Sequence, residues 1–397
     1  MQKTGNPEAI SEMNKRLILD ELRFNGSMSR ADLARKLGLS FPAISSNVKR
    51  LIETDYIQEV GVGDNSLGRK STLLAFKADR GYVMGIDVGR FCIRVMLTDL
   101  LGNEIMSSNS RSVLQSSGEQ AIKLICEQAN EILAKSGKNT QDVLCIVLGI
   151  PGIIKKDEKT FRASFTQAYS KDELFCSLRK SFGNADILVE NSVKLGAIGE
   201  QWKGAAVKYK NVVFISYGVG FGAAFILDGT LVQGANGAAG EIGYMLLDPI
   251  GIRKEFDAVG LLEETLVKSK IKRYLRGDCF VEEINEMLQK YRDGDEYTKL
   301  VIDEIAMLFG MALVNICAVL NPEILIISGG LGTNIGGLFL QEWRKILQDH
   351  VPFVPELVVS QMNGLETVLG AIITGVDHIH KGEVLFASQR YLADPTI

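Results

Sequence analysis

Two apolar segments in the body of the chain constrain its fold most strongly. The segment at 82–89 reads "YVMGIDVG", and the one at 211–222 reads "NVVFISYGVGFG". Each is an apolar run of strand length that ends in a glycine-rich turn and continues into a second apolar run, a pattern that predicts a buried β-hairpin. Because helical and strand patterns follow each hairpin, we expect an α/β fold of two lobes with a ligand cleft between them.

The elements after each hairpin repeat in order. A helix is predicted from about 119 to 135 and is followed by the apolar strand "VLCIVLGIPG" at 143–152. In the second half, helices are predicted near 300–320 and 337–349, with the strand "EILIISGG" at 323–330 between them. The two halves therefore resemble a weak internal duplication.

The two glycine-rich turns are candidate phosphate loops, because backbone N–H groups can approach an anion where side chains are missing. Their sequences are "DVGRFC" at 87–92 and "YGVGFG" at 217–222. Tight hairpins explain such turns equally well. Neither turn carries a threonine that could assist a phosphate.

The first eighty residues have a helical pattern instead. Leu17, Ile18 and Leu22 fall on one helical face, and the Asn-Gly pair at 25–26 ends that helix. Ser29 stands three residues before an aspartate and is predicted to cap a second helix. A third helix follows directly after it.

Ser40 is predicted to cap the third helix, and the apolar positions 44, 48, 51 and 52 define its buried face. Two short helices joined by a tight turn form a helix-turn-helix, whose second helix enters a DNA major groove. We expect small residues near its N-terminus to approach base edges and basic residues beyond them to hold phosphates. The expected DNA contacts on this helix are Ser40, Phe41, Ala43, Ser45, Ser46, Lys49 and Arg50.

Two predicted strands, "YIQEVGVG" at 56–63 and "STLLAF" at 71–76, flank a polar tip with Arg69 and Lys70. They form a wing whose two cations suit a minor groove or backbone phosphates. Residues 1–80 carry a net charge of +3 and the remainder −7, as expected for a nucleic-acid-binding module on an acidic body. The alternative is a small helical bundle used for protein contacts.

The composition of the chain argues against a membrane protein and against a protein built on disulfides or cysteine ligands. The 397 residues are 46% hydrophobic, with no basic, apolar leader and no apolar run that could cross a bilayer, so we expect a cytoplasmic protein with no membrane partner. The six cysteines show no CxxC spacing and are predicted to be small buried hydrophobes rather than ligands or disulfides.

Five motifs resemble those of the ROK family of bacterial sugar kinases and sugar-responsive repressors. They are "GIDVG" at 85–89, "GIPG" at 149–152, "VEN" at 189–191, "GANGAAGEIGYM" at 234–245 and "LNPEILIISGG" at 320–330. The resemblance runs from about Lys15 to the C-terminal helix and implies an actin-like or hexokinase-like body. The head followed by "GRK" at 68–70 is similar to the repressor branch, which includes xylose and N-acetylglucosamine repressors.

The resemblance implies a division of the chain. We expect a winged helix-turn-helix domain at 1–80, a first lobe at 81–195 and a second lobe at 196–364. A C-terminal helix at 365–390 is expected to pack back on the first lobe.

Departures from the kinase pattern indicate that the chain is not an enzyme. Ser192 stands where the kinases have the aspartate that takes a proton from the sugar, and serine has no suitable pKa for that role. The family's zinc ligands are also replaced, by Tyr244, Lys254, Phe256 and Leu261. Because zinc needs thiolate or imidazole ligands, we expect no catalytic residue, no metal and no cofactor. His378 and His380 are interpreted as a polar helix face.

Part of the family's sugar-contacting set remains. Asn191, Glu241 and Glu263 match positions that hydrogen-bond sugar hydroxyls, and an amide with two acids supplies the donors and acceptors that a polyol needs. For Glu241 the alternative is a structural acid that closes a turn. Ser164 or a neighbour replaces a family asparagine, while Ser192 and Tyr244 alter the pocket further.

The expected function is a DNA-binding repressor of a carbohydrate-utilisation operon. A homodimer would place two heads on a palindromic operator, and a sugar bound between the lobes would control it. Two alternatives remain open. One is a sugar kinase with a regulatory DNA-binding head, and the other is a DNA-binding regulator controlled by a protein partner.

Overall fold

The structure is a computed structural model of the whole chain. It describes residues 7–64, 70–89, 92–111, 118–154, 160–161, 169–183, 185–249, 251–253, 260–269 and 280–385. Arg69, Ser164, Lys254 and Phe256 lie outside the described residues, and Lys70 is described through its backbone alone.

The head is a three-helix unit with a small antiparallel sheet. Its elements are α1 (Pro7–Asn25), β1 (Met28–Ser29), α2 (Arg30–Leu37), α3 (Phe41–Glu53), β2 (Ile57–Asp64) and β3 (Lys70–Phe76), and the strand order is β1-β3-β2. The predicted helix signals are confirmed. Ser29 Oγ accepts the Asp32 N–H at 3.2 Å and caps α2, and Gly38 ends it with a φ of 66°. Strand β1, between the first two helices, was not predicted.

A polar contact fixes the third helix against the first. Asn47 of α3 is buried among the apolar residues Ile44, Val48 and Leu51. Its Oδ1 accepts a hydrogen bond from Ser11 Oγ of α1 at 2.9 Å, and its Nδ2 donates to the Ala43 carbonyl at 2.8 Å. Because a buried amide without partners costs free energy, these bonds select one orientation of α3 on α1.

The body contains two five-stranded mixed sheets. The first half comprises β4 (Tyr82–Val88), β5 (Cys92–Asp99), β6 (Glu104–Arg111), α4 (Gly118–Ser136), β7 (Val143–Ile150), β8 (Thr160–Phe161), β9 (Tyr169–Ser170), α5 (Lys171–Phe182) and β10 (Asp186–Asn191). Its sheet has the order β10-β7-β4-β5-β6, and β8 pairs with β9 alone. Strands β4, β5 and β6 are antiparallel, whereas β7 runs parallel to both β4 and β10.

The second half begins with a helix that leads into its sheet. Its elements are α6 (Ser192–Lys203), β11 (Val212–Tyr217), β12 (Phe221–Leu227), β13 (Thr230–Leu231), α7 (Leu261–Glu263), α8 (Phe280–Arg292), α9 (Glu296–Leu320), β14 (Ile324–Ser328), α10 (Gly330–His350), β15 (Glu356–Val359) and α11 (Glu366–Leu385). The sheet order is β13-β12-β11-β14-β15. It repeats the first sheet strand for strand, with three antiparallel strands followed by two parallel strands, as the duplicated sequence pattern predicts.

Helix α10 begins seven residues earlier than its sequence predicts. The glycines at 329–337 have low helix propensity and resemble a loop. In the structure Gly332 packs against Ile327 and Tyr217, and Gly336 packs against Val359, at distances that leave no room for a side chain. Tertiary packing therefore extends the helix through this glycine-rich segment.

Helix α9 supplies much of the second lobe's core. Its Phe309 ring stacks on Trp343 of α10 at 4.5 Å, and Trp343 Nε1 donates to the Ala306 carbonyl at 2.8 Å. Within the described part of the chain, α9 is the one helix long and apolar enough to cross a membrane by length and composition. Because 56% of its apolar window is buried inside the protein, its sequence is explained by a place in the core.

Helix α11 connects the head, the first lobe and α6. Its backbone crosses α6 so closely that a side chain at Gly370 would clash with the Leu195 carbonyl, and one at Gly199 with the Glu366 carbonyl. The same helix packs on β4, β7 and α1. Ile372 and Val376 of α11 share one apolar cluster with Ile18 of the head, so head and body have a continuous core.

The prediction that the cysteines are buried is confirmed in part. Cys145 and Cys317 are buried, Cys92 and Cys126 are half-buried, and none of these forms a disulfide. The prediction is wrong for Cys176, which is exposed, because the buried face of α5 carries residues 174, 178 and 182 and position 176 falls on the opposite face. Cys279 lies outside the described residues.

Candidate DNA-binding surface and ligand cleft

The outer face of α3 presents the predicted DNA contacts. Ser40, Phe41, Ser46, Lys49 and Arg50 are exposed, and Ala43 and Ser45 are half-buried beside them. Ser40 Oγ accepts the Ala43 N–H at 3.4 Å as the helix cap. The Lys49 side chain is 79% exposed, and its ammonium lies 3.9 Å from Glu53 Oε1, a contact too weak to keep it from a phosphate.

Phe41 departs from the polar character of this face. Phe41 is 54% exposed in the first turn of α3. Apolar side chains in a major groove contact the methyl group of thymine. The position of Phe41 therefore suits base contact better than packing within the head.

The wing strands β2 and β3 pair with an irregularity between Glu59 and Gly61. The Glu59 carboxylate also forms an ion pair with the Arg30 guanidinium at 3.1 Å. This pair connects β2 of the wing to the start of α2. Lys70 opens β3, and the tip between the two strands, with Arg69, lies outside the described residues.

Asn191 is built into the start of α6. It is buried, its Oδ1 accepts the Lys194 N–H at 3.0 Å as the helix cap, and its Nδ2 donates to the Gly152 carbonyl at 2.8 Å. It thereby joins the end of β10 to the "GIPG" loop. An amide carries two donors and two acceptor sites, and one donor and one acceptor site of Asn191 are used by these two bonds.

Ser192 is the first residue of α6 and is half-buried. Its carbonyl accepts a hydrogen bond from Thr367 Oγ1 of α11 at 3.2 Å. The contact connects the mouth of the cleft to α11.

Two of the predicted sugar-contacting acids lie together. Glu263 Oε2 accepts the Phe221 N–H at 3.3 Å, and Gly243, in the turn after Glu241, packs on the Glu263 side chain. Burial raises the pKa of Glu241, the charge of Glu263 raises it further, and Lys194 opposes both effects. Tyr244 is 37% exposed at the edge of this group.

Lys194 was not predicted as a site residue. It is 3% exposed, and its ammonium donates to Gln233 Oε1 at 2.7 Å and to the Gly237 carbonyl at 2.7 Å. A lysine in the first turn of a helix opposes the helix dipole, and this was the signal in the sequence that could have revealed it.

The first glycine-rich turn is closed by an internal ion pair. Arg94 NH1 lies 3.1 Å from Asp87 Oδ2, and Gly89 donates its N–H to the Cys92 carbonyl at 3.0 Å. The pKa of Asp87 is raised to about 6, mainly because the carboxyl is buried. The charge of Arg94 lowers this pKa, and the charge of Glu366 raises it.

The second glycine-rich turn likewise uses its backbone internally. Gly218 donates its N–H to the Gly220 carbonyl at 2.9 Å, and the N–H of Phe221 binds Glu263. The described Gly89 and Gly218 N–H groups thus bond within their own hairpins, and the Phe221 N–H bonds to Glu263.

The described residues contain no cluster of three histidine, cysteine or acidic side chains that could hold a metal ion. At the former zinc positions, Tyr244 is exposed and Leu261 is half-buried. His378 pairs with Asp186 at 2.9 Å on the surface. The interpretation of a polar helix face is wrong for His380, which is buried because the head covers that side of α11.

These features define a protein with a winged helix-turn-helix DNA-binding head on a two-lobed α/β body, in which polar side chains gather near the start of α6. The sequence profile of winged helix-turn-helix DNA-binding domains matches residues 14–58. The profile of the ROK family matches residues 83–374. The chain belongs to the ROK family.

Known relatives fall into the family's two functional groups. The chain is 27% identical over 388 residues to the xylose repressor of Caldicellulosiruptor bescii, covering 93% of this chain and 96% of that protein. It is 27% identical over 270 residues to the glucokinase of Halalkalibacterium halodurans, covering 64% of this chain and 81% of that enzyme. A crystal structure of a ROK family transcriptional regulator, a homolog of the E. coli MLC protein, superposes with a TM-score of 0.74 at 20% identity, over 95% of this chain and 98% of that one.

Proposed function

We propose that this protein is a DNA-binding transcriptional repressor of a carbohydrate-utilisation operon, controlled by a sugar bound between its lobes. One observation carries the proposal: α11 packs both on the DNA-binding head and on α6, the helix that begins at the polar cleft. A rearrangement of α6 by a bound ligand can therefore be transmitted to the head through a single helix. The relative named xylose repressor makes D-xylose the first effector to test.

The proposed site residues are those predicted from the sequence. DNA is contacted by Ser40, Phe41, Ala43, Ser45, Ser46, Lys49, Arg50, Arg69 and Lys70. The sugar is contacted by Ser164, Asn191, Ser192, Glu241, Tyr244 and Glu263. The proposal is supported for Asn191 by its place at the start of α6 and for Glu241 by its proximity to Lys194 in the first turn of that helix, while Glu263 lies beside Glu241.

We propose further that the protein has no kinase activity and needs no metal or cofactor. Ser192 replaces the proton acceptor of the kinases, and the Asp87 carboxylate of the first turn is held by Arg94. The backbone donors described in both glycine-rich turns are engaged within their own hairpins or by Glu263. Phosphoryl transfer depends on positioned groups that hold and neutralise phosphate, and these engaged donors are not available for that role.

The remaining parts of the proposal concern assembly. A homodimer binds a palindromic operator in the cytoplasm, because two heads related by a two-fold axis read two equal half-sites. The head at 1–80, the lobes at 81–195 and 196–364 and the C-terminal helix at 365–390 are the proposed units. Helix α11 supports the last assignment, since it packs on β4 and β7 of the first sheet.

The proposal is tested by measuring operator binding with and without D-xylose, D-glucose and N-acetylglucosamine. The expected result is that one sugar raises the melting temperature of the free protein and weakens its DNA affinity at least tenfold, because a ligand shifts an equilibrium only by its differential affinity for two states. No DNA binding, or no response to any sugar, contradicts the proposal. Turnover of ATP with any of these sugars would support the kinase alternative instead.

A further inference from the structure

We propose that Lys194 is the positioning residue of the effector cleft: its ammonium fixes the loop at 233–237 against the start of α6 and sets Glu241 in place for the sugar. The inference rests on the proposed function, because it concerns the same sugar site. Three observations support the role of Lys194: its hydrogen bonds, the packing of the loop that it holds, and the charges around it.

Among the described residues, the hydrogen-bond acceptors of the Lys194 ammonium all lie in the loop at 233–237. Lys194 Nζ lies 2.7 Å from Gln233 Oε1, 2.7 Å from the Gly237 carbonyl oxygen and 3.5 Å from the Gln233 carbonyl oxygen. All three acceptors are neutral. A lysine that only neutralised a carboxylate would not bind both ends of a five-residue loop.

The loop that Lys194 holds lies against the first lobe. Gly237 has a φ of 71°, and a side chain there would meet the Ile154 carbonyl oxygen at 2.8 Å. Asn191, which caps α6 on the Lys194 N–H, also binds the Gly152 carbonyl. The two side chains therefore fasten segments of both lobes, at 152–154 and at 233–237, to the first turn of α6.

The charge of Lys194 also acts on the acids of the cleft. Glu190 and Glu241 both lie close enough to stabilise its charged form, while burial lowers its pKa. In return Lys194 favours the ionised form of Glu241, which burial and Glu263 disfavour. An ionised Glu241 is a stronger acceptor for sugar hydroxyls than a protonated one.

Lys203 provides a matched control on the same helix. Its ammonium donates to the Gly102 carbonyl at 3.3 Å, and burial lowers its pKa as it does for Lys194. It lies at the opposite end of α6 from the cleft. Lys203 is exposed whereas Lys194 is buried, so it controls for the loss of a lysine charge from α6: a loss of affinity caused merely by removing that charge would affect both positions alike.

The experiment compares Lys194→Met, Lys203→Met, Gln233→Leu and the Lys194→Met/Gln233→Leu double variant in the full chain. Binding of the sugar that stabilises the wild type, D-xylose first, is measured by calorimetry, and the melting temperature is measured without sugar. We expect Lys194→Met to weaken sugar binding at least tenfold and Gln233→Leu severalfold, while Lys203→Met stays within twofold of the wild type. The double variant should bind no more weakly than Lys194→Met, because both changes break one contact.

Equal sugar affinity in Lys194→Met and Lys203→Met overturns the inference, as does full additivity in the double variant. If Lys194→Met does not fold, Gln233→Leu decides: wild-type affinity in that variant overturns the inference. A wild type that binds none of the three sugars refutes the proposed function and this inference together. A wild type that binds a sugar equally well without Lys194 refutes this inference alone.

Discussion

The Phe76 ring of the winged head lies edge-on against the His380 imidazole of α11, with the ring centroids 5.3 Å apart. His380 Nε2 lies 3.1 Å from the Leu100 carbonyl oxygen of the first lobe. The buried imidazole thus contacts the head on one side and the body on the other. Since α11 also crosses α6 by close backbone contact, His380 stands on the one-helix route from cleft to head.

Replacing His380 should uncouple the two ends of this route. Coupling between two sites usually amounts to about 1–3 kcal/mol. In His380→Leu we expect the effect of the sugar on operator affinity to fall by at least half. Sugar affinity measured without DNA should change less than twofold. The control is His378→Leu, which removes the surface pair with Asp186; equal coupling in both variants would count against the route.

The cations of α3 should govern the salt dependence of DNA binding. Each lysine or arginine that neutralises a phosphate contributes roughly 0.9 to the slope of log affinity against log salt. Lys49→Ala with Arg50→Ala should therefore reduce the slope by roughly 2 and weaken binding to all sequences alike. Lys123→Ala, an exposed lysine of α4, should leave the slope unchanged, and an unaltered slope in the double variant would place phosphate contacts elsewhere.

Asp87 should make the body less stable as the pH rises from about 4 to about 6. Its pKa is raised from 3.8 to about 6 in the folded protein, with Arg94 and Glu366 as the charged neighbours. Between these values the folded state binds more protons than the unfolded state, so the stabilising contribution is complete below pH 3.8 and is lost as the pH passes 6.

Asp87→Asn removes this titration. The stability of the wild type relative to this variant should fall by roughly 1–3 kcal/mol between pH 4 and pH 7, measured by urea unfolding across that range. Asp349→Asn, at an exposed position near the end of α10, should follow the wild type throughout. A constant difference between wild type and Asp87→Asn would show that Asp87 does not titrate in this range.

The crossing of α6 and α11 should tolerate no side chain. In Gly370→Ala the new Cβ would lie 1.8 Å from the Leu195 carbonyl oxygen, so we expect a loss of at least about 2 kcal/mol of folding free energy. Gly337→Ala in α10, where no atom lies within 4 Å of the new Cβ, should instead stabilise the protein by roughly 0.5–1 kcal/mol. Denaturant unfolding measures both, and equal stability of the two variants would mean that the helices can separate without cost.

Local signals in the sequence were sufficient for the three helices and two wing strands of the head and for the two hairpins of the body. Ser29, Gly38 and Ser40 cap or end helices where predicted, because a cap depends on residues three or four positions away. The hairpins after positions 82 and 211 followed from alternating apolar runs and glycine turns. The family was recognisable from five short motifs, because each motif is a local run of residues.

The site could be predicted only in outline. Asn191, Glu241 and Glu263 were identified from their motifs, but the sequence did not indicate that Asn191 caps α6 or that Glu263 binds the Phe221 N–H. The early start of α10, the exposure of Cys176 and the burial of His380 were also missed.

By itself, then, the sequence determined much of the chain's local structure and its family. Only the tertiary structure decided which buried polar groups become partners. Lys194 meets Gly237, and Asp87 and Glu366 approach one buried site, although 43 or more residues separate them along the chain. A buried charge or amide must find partners wherever the fold supplies them, and no local pattern records which distant residue that will be.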